Sequence, residues 1–133
     1  MKLSSWLSTV ALCASSIAVV VMPTPAIAGE LDGKRFDGVF MERGKTSGDA
    51  DTLTFKDGRF RSSACDKYGY SDAAYKTTAQ GDAVVFEAET ESARYGKLVW
   101  KGFVRGDKLD ATVTAIRSGK APVENWVVAG EKK

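Results

Sequence analysis

Residues 97–116 read KLVWKGFVRGDKLDATVTAI, and this stretch decides the fold. Apolar and polar side chains alternate on both sides of Gly106-Asp107, a dipeptide typical of a type II′ hairpin turn. In the register set by this turn, the residues that share one face are all apolar or small: Val104 and Leu109, Gly102 and Ala111, Trp100 and Val113, Leu98 and Ala115. The segment therefore predicts an antiparallel hairpin with one buried face.

Two further dipeptides predict hairpins by the same test. Asp57-Gly58 suits a type I′ turn and Gly81-Asp82 provides another two-residue turn. The cross-strand pairs that they set are Phe55 with Phe60, Leu53 with Ser62, Thr77 with Phe86, Tyr75 with Ala88, and Lys76 with Glu87. The first four pairs belong to the inner face, and the last is a favourable ion pair on the outer face.

Elsewhere the chain also consists of short alternating stretches between Gly and Asp turn signals, and no window of about eleven residues carries a helical stripe. The predicted strands are residues 34–42, 52–56, 59–64, 73–79, 83–90, 97–105, 108–116 and 125–129. Eight twisted antiparallel strands avoid two exposed edges by closing on themselves. We therefore predict an all-β fold, an eight-stranded antiparallel up-and-down barrel.

Short and long connections alternate along this barrel. The longer ones are residues 43–51, 65–72, 91–96 and 117–124. Because successive turns of an up-and-down sheet lie at opposite ends, the three tight turns share one end, the tight-turn end, and the longer loops share the other, the long-loop end. Functional residues favour loops on a rigid scaffold, which directs attention to the long-loop end.

This layout resembles the calycin superfamily, especially the lipocalins, over most of residues 31–130. Lipocalins have eight antiparallel strands with short hairpins opposite an open mouth, and carry Gly-x-Trp at the start of the first strand. Here the corresponding residues are Gly33-Lys34-Arg35-Phe36, with the aromatic residue one place later. The resemblance implies a calycin-like barrel that is open at the long-loop end.

The first 28 residues have the layout of a secretory signal peptide. Lys2 provides a positive start, residues 6–22 are largely apolar, and residues 23–28 read PTPAIA and end in a small-x-small pattern before Gly29. An uncleaved anchor is the alternative, but Pro23 ends the apolar run at about seventeen residues, near the lower limit for a membrane-spanning helix. We therefore predict a signal peptide at 1–28, a β-barrel domain at 29–133, and an exported protein, periplasmic or secreted.

Composition excludes several function classes. The 133 residues contain 19 Lys and Arg, 17 Asp and Glu, and no His. Nearly balanced charge argues against a nucleic-acid partner, and the absence of His removes the usual catalytic triads and His-ligated metals. The acidic stretch 48–51 lacks the rest of a calcium loop, so an Asx turn is expected there. We expect no enzymatic activity, no cofactor, no metal site and no membrane span after processing.

Candidate binding residues cluster in the predicted long loops. Three of the four tyrosines lie there, and tyrosine combines an apolar ring with a hydroxyl that suits a partly apolar ligand. Nearby arginines are suited to a carboxylate head group. Trp126 and Val128 are predicted to face inward with the other apolar residues. The predicted ligand-binding residues are Cys65, Tyr68, Tyr70, Arg94, Tyr95, Arg117 and Trp126.

Cys65 is the one cysteine of the predicted barrel domain. An unpaired thiol in an oxidising compartment is buried, capped, or used between chains. Burial at the end of the third strand is the favoured interpretation, and the chain is then a monomer. A dimer linked through Cys65 is the alternative.

Two functions from different classes remain. The first is binding of a small apolar or amphipathic molecule at the open end of the barrel. The second is a protein-binding module, an inhibitor or envelope partner that uses the same loops over a packed barrel. The volume of the interior separates them, because the first needs a cavity between the loops and the second does not.

Overall fold

The computed structural model describes residues 29–133, which form a closed antiparallel barrel in which each strand pairs with the next and the last pairs with the first. The predicted signal peptide lies outside the described residues. The eight strands are β1 (Arg35–Glu42), β2 (Asp49–Lys56), β3 (Arg59–Ser62), β4 (Ala73–Gln80), β5 (Ala83–Ser92), β6 (Gly96–Arg105), β7 (Lys108–Ile116) and β8 (Val123–Glu131). The all-β up-and-down barrel that the sequence predicts is confirmed.

All three predicted hairpins have the expected register. Trp100 pairs with Val113, Phe55 with Phe60, and Lys76 with Glu87. Asp57 and Gly58 have φ angles of 52° and 72°, as a type I′ turn requires, and Gly106 has a φ of 60°, which suits the first central position of a type II′ turn. The tight turns are therefore those that the sequence specified.

The prediction of which side chains of the last strand face the interior is wrong. Val127 and Ala129 are buried, whereas Trp126 and Val128 are exposed. The strand is also longer than expected, because it extends in both directions to pair with β7 and β1. Since side chains alternate along a strand, a shift of one position moves every side chain to the opposite face.

The connection after β3 begins with a 3-10 helix, η1 (Ser63–Tyr68), where the sequence suggested strand and then loop. The buried carboxylate of Asp51 lies at its start and accepts a hydrogen bond from Ala64 N at 3.0 Å. Asp51 belongs to β2, so the expected Asx turn in this stretch is also wrong. Gly69 caps the helix after Tyr68, and its φ of 80° is a left-handed conformation favoured by glycine.

An aromatic cluster fills the tight-turn end and the middle of the barrel. The ring of Phe55 lies within 5.0 to 6.0 Å, between centroids, of the rings of Phe36, Phe60, Tyr75 and Phe86. Most pairs are edge-on, the arrangement that the aromatic quadrupole favours. This part of the interior is a packed core.

The segment before β1 closes the tight-turn end, which the sequence did not predict. Leu31 is buried there, and its backbone N–H donates to the Tyr75 hydroxyl at 3.0 Å. That hydroxyl donates in turn to Asp32 Oδ1 at 2.6 Å, and Asp32 also accepts from the backbone N–H of Gly58. With this end closed, access to the interior is through the long-loop end.

Candidate functional site

A pocket of about 530 Å³ lies at the long-loop end. Its apolar lining includes Phe40, Leu98 and Ala115, which project inward from β1, β6 and β7. The ring of Phe40 lies 6.0 Å from that of Trp100, between centroids, so the packed core begins directly beneath the pocket. The volume falls in the range of about 300 to 1,000 Å³ that is usual for small-molecule sites.

Five of the seven predicted site residues line this pocket: Cys65, Tyr68, Tyr70, Tyr95 and Arg117. Arg94 lies beside it, with its guanidinium carbon 5.3 Å from the centroid of the Tyr95 ring. These five residues come from three of the long loops, one of which contains η1, and they converge on one volume, as the alternating loop lengths imply.

Two tyrosines form one wall. The rings of Tyr68 and Tyr95 meet edge to face with centroids 5.5 Å apart. Ser92 holds the two loops together, because its hydroxyl donates to the Tyr68 carbonyl at 2.7 Å and accepts from the Tyr95 N–H at 3.2 Å. This wall is therefore fixed by hydrogen bonds that are independent of any ligand.

Tyr70 is more deeply placed, and its side chain belongs to the buried core of the long-loop end. Its hydroxyl donates to the backbone carbonyl of Tyr95 at 3.4 Å. Burial raises the pKa of Tyr70, an effect that the nearby positive charge of Arg117 opposes. The hydroxyl therefore remains a neutral hydrogen-bonding group at physiological pH.

Cys65 lines the pocket but is only 5% exposed. Its Sγ lies 3.3 Å from Ser62 Oγ, and the Ser62 hydroxyl donates to Asp51 Oδ2 at 2.7 Å. Burial raises the pKa of the Cys65 thiol to about 11. The environment therefore favours an unreactive thiol, and a Cys65-linked dimer would first require this side chain to be exposed.

We expect alkylation of Cys65 by iodoacetamide at pH 8 to be about 100-fold slower in the folded protein than in the urea-unfolded chain. The pKa of about 11, against an ordinary value of 9.0, lowers the thiolate fraction by that factor. Mass spectrometry of timed samples measures the two rates. Equal rates would show that the thiol is freely accessible and contradict the burial.

Trp126 does not belong to the pocket, which corrects the inward facing that the sequence suggested. It is 36% exposed on the outer surface of β8, where its indole N–H donates to Glu124 Oε1 at 3.0 Å. Phe103 and Val128 are also exposed on the outside of the barrel and line the same surface depression as Trp126. The reversed facing of β8 accounts for this position.

The sequence missed the contribution of the loop between β1 and β2. Lys45 and Ser47 line the pocket together with Glu42 at the end of β1. The alternation of loop lengths places this loop at the same end as the tyrosines. That signal alone would justify including its residues among the predicted site residues. Its residues lack aromatic rings, which is why composition alone did not single them out.

A second depression, of about 610 Å³, lies on the outside of β4 to β6. Its lining includes the outward charged residues Lys76, Glu87 and Lys101, and none of the predicted site residues. Volume alone therefore does not distinguish this outer depression from the pocket at the long-loop end. The pocket at the long-loop end is the better candidate because aromatic, apolar and charged side chains converge there from several loops.

Within residues 29–133, no three side chains of the His, Cys, Asp and Glu types are grouped as metal ligands would be. The same part of the chain contains no helix with the length and hydrophobicity needed to cross a bilayer. Comparison with known protein families, curated proteins and solved structures finds no match to this chain.

Proposed function

We propose that this chain is an exported, non-enzymatic binding protein that takes a small apolar or amphipathic molecule into the pocket at the long-loop end. The observation that carries the proposal is the volume of about 530 Å³ between the loops, lined by Tyr68, Tyr95 and Arg117 above apolar side chains. A rigid barrel with a closed opposite end is a suitable scaffold for such a site. The lipocalin-like layout supports the same proposal.

The wall of the pocket supports specific binding because its geometry is already fixed. Ser92 ties the backbone segments of Tyr68 and Tyr95 together, so a ligand does not have to order them. A preformed site avoids part of the entropy cost of ordering side chains and loops on association. The rings then offer apolar contact, and the hydroxyls and Arg117 offer polar contact at the rim.

The alternative is a protein-binding module that uses the same loops over a packed barrel. The packed aromatic cluster in the middle of the barrel is compatible with it. The open volume beneath the loops favours the small molecule, since a solid barrel would leave no such space.

Native mass spectrometry of protein purified from its own host tests the proposal with two matched variants. Ala115→Phe places a ring in the pocket, whereas Thr114→Phe adds the same ring at the neighbouring position of β7, which is not part of the pocket lining. We expect a bound small molecule on the natural protein and on Thr114→Phe, and at least a tenfold lower occupancy on Ala115→Phe.

Circular dichroism tests whether both variants remain folded. Absence of bound mass from all three proteins, or equal occupancy on Ala115→Phe, would contradict binding in this pocket. The same spectra test export, because a chain processed as proposed begins at Gly29. A mass that retains residues 1–28 in mature protein would contradict that processing.

A further inference from the structure

Positive charges outnumber negative charges around the pocket once the charges that already form ion pairs are set aside. Four charged side chains line it: Glu42, Lys45, Asp49 and Arg117. The carboxylate of Asp49 lies 3.8 Å from the amine of Lys67, so its charge is already partnered. Within residues 29–133 the other three make no ion pair, which leaves two cations against one anion at the rim.

Arg117 is the cation best placed to bind a ligand. Its guanidinium carbon lies 4.8 Å from the centroid of the Tyr95 ring, a cation–π arrangement. Within residues 29–133 the Arg117 guanidinium makes no hydrogen bond or ion pair, so its N–H groups are available to a ligand. A guanidinium presents its N–H donors as a planar fork that matches the two oxygens of a carboxylate.

The position of the Arg117 guanidinium relative to the apolar lining defines the class of ligand. Tyr95 and Arg117 lie in loops of the long-loop end, whereas Phe40, whose ring contacts that of Trp100, and Leu98, a buried residue, lie in β1 and β6. A molecule that satisfies both surfaces has an apolar body and an anionic head. A ligand without the anion would form no charge-assisted hydrogen bond with the excess positive charge at the rim.

We infer that the pocket selects amphipathic carboxylates, whose head group is bound by Arg117 on the Tyr95 ring and whose apolar body packs on Phe40 and Leu98. This inference rests on the proposed function and deepens it. Arg117 is then the residue that determines the specificity of the pocket.

Calorimetric titration with octanoate and octanamide tests the inference, because the two molecules share an apolar chain and differ in the charge of the head group. We expect the natural protein to bind octanoate at least about tenfold more tightly than octanamide, the ratio that one charge-assisted hydrogen-bonded pair provides. Arg117→Gln should remove most of that difference, because it weakens octanoate binding much more than octanamide binding.

Lys120→Gln is the matched control. Lys120 is an exposed cation of the same loop that is not part of the pocket lining, so its removal lowers the net charge equally and should change octanoate affinity by less than about twofold. Equal binding of octanoate and octanamide, or equal effects of the two substitutions, would overturn the inference and leave the pocket function standing. Failure of both molecules to bind would overturn the proposed function for this ligand class and the inference with it.

Discussion

Replacing Phe55 with alanine is expected to lower the free energy of unfolding by about 3 to 5 kcal/mol, the usual cost of deleting a buried ring. Phe55 is fully buried, and its ring contacts those of Phe36, Phe60, Tyr75 and Phe86. Alanine would leave a cavity that these rings can fill only by leaving their present positions. Because single domains have a total stability of only about 5 to 15 kcal/mol, the variant should be marginally folded.

Urea denaturation followed by near-ultraviolet circular dichroism measures this loss. The control is Phe103→Ala, which removes the same ring from the outer surface, where Phe103 is 43% exposed. That change should cost about 1 kcal/mol or less. Comparable losses for the two variants would contradict the packed aromatic core.

Replacing Gly38 with alanine should destabilise the barrel by about 3 kcal/mol or more, since added volume in a packed site forces backbone movement. Gly38 pairs with Ala129 where β1 meets β8, the pairing that closes the barrel. A Cβ at this position would overlap the carbonyl oxygen of Val128 and lie 2.5 Å from Ala129 Cα. Neither backbone atom can move without separating the two strands.

Gly130→Ala is the matched control for this substitution. Gly130 lies in β8 and pairs with Asp37 of β1, but a Cβ there would meet its nearest atom, Asp107 O, at 3.9 Å. We expect its stability to remain within about 0.5 kcal/mol of the natural protein. If Gly38→Ala were equally neutral, the close approach of β1 and β8 would be wrong.

The three hairpins could be predicted from sequence because each turn fixes its own register. A two-residue turn leaves no freedom in the pairing, so placing Trp100 opposite Val113 follows from identifying Gly106-Asp107. The alternation of turn lengths then located the pocket residues at one end without any contact information. The structure confirms the register of the three hairpins and the gathering of the longer loops at one end.

Which side chains of β8 face the interior could not be predicted from a turn. A long loop precedes it, so no tight turn sets the register, and the run Trp126-Val127-Val128-Ala129 is apolar at every position. Alternation therefore carried no information about which side faces inward. The choice is made by hydrogen bonds to β7 and β1, which bury Val127 and Ala129.

Two other features depend on contacts between distant parts of the chain. Asp51 accepts hydrogen bonds from Ser63 and Ala64 at the start of η1, which lie 12 and 13 residues later in the sequence, and Leu31 hydrogen-bonds to Tyr75 across 44 residues. Neither contact leaves a periodic pattern in the sequence. In the candidate site, the tyrosines and Arg117 could be predicted from loop position, whereas the loop between β1 and β2 had no aromatic residue to mark it.

A titration of isotope-labelled protein with octanoate, followed by amide chemical shifts, tests the central claim most directly. We expect the largest shifts on residues 64–70, 94–98 and 115–117 around the pocket, and no change at the tight-turn end, at residues 57–58 and 106–107. Shifts concentrated at those turns, or on the outer surface around Trp126 and Phe103, would contradict a ligand site at the long-loop end.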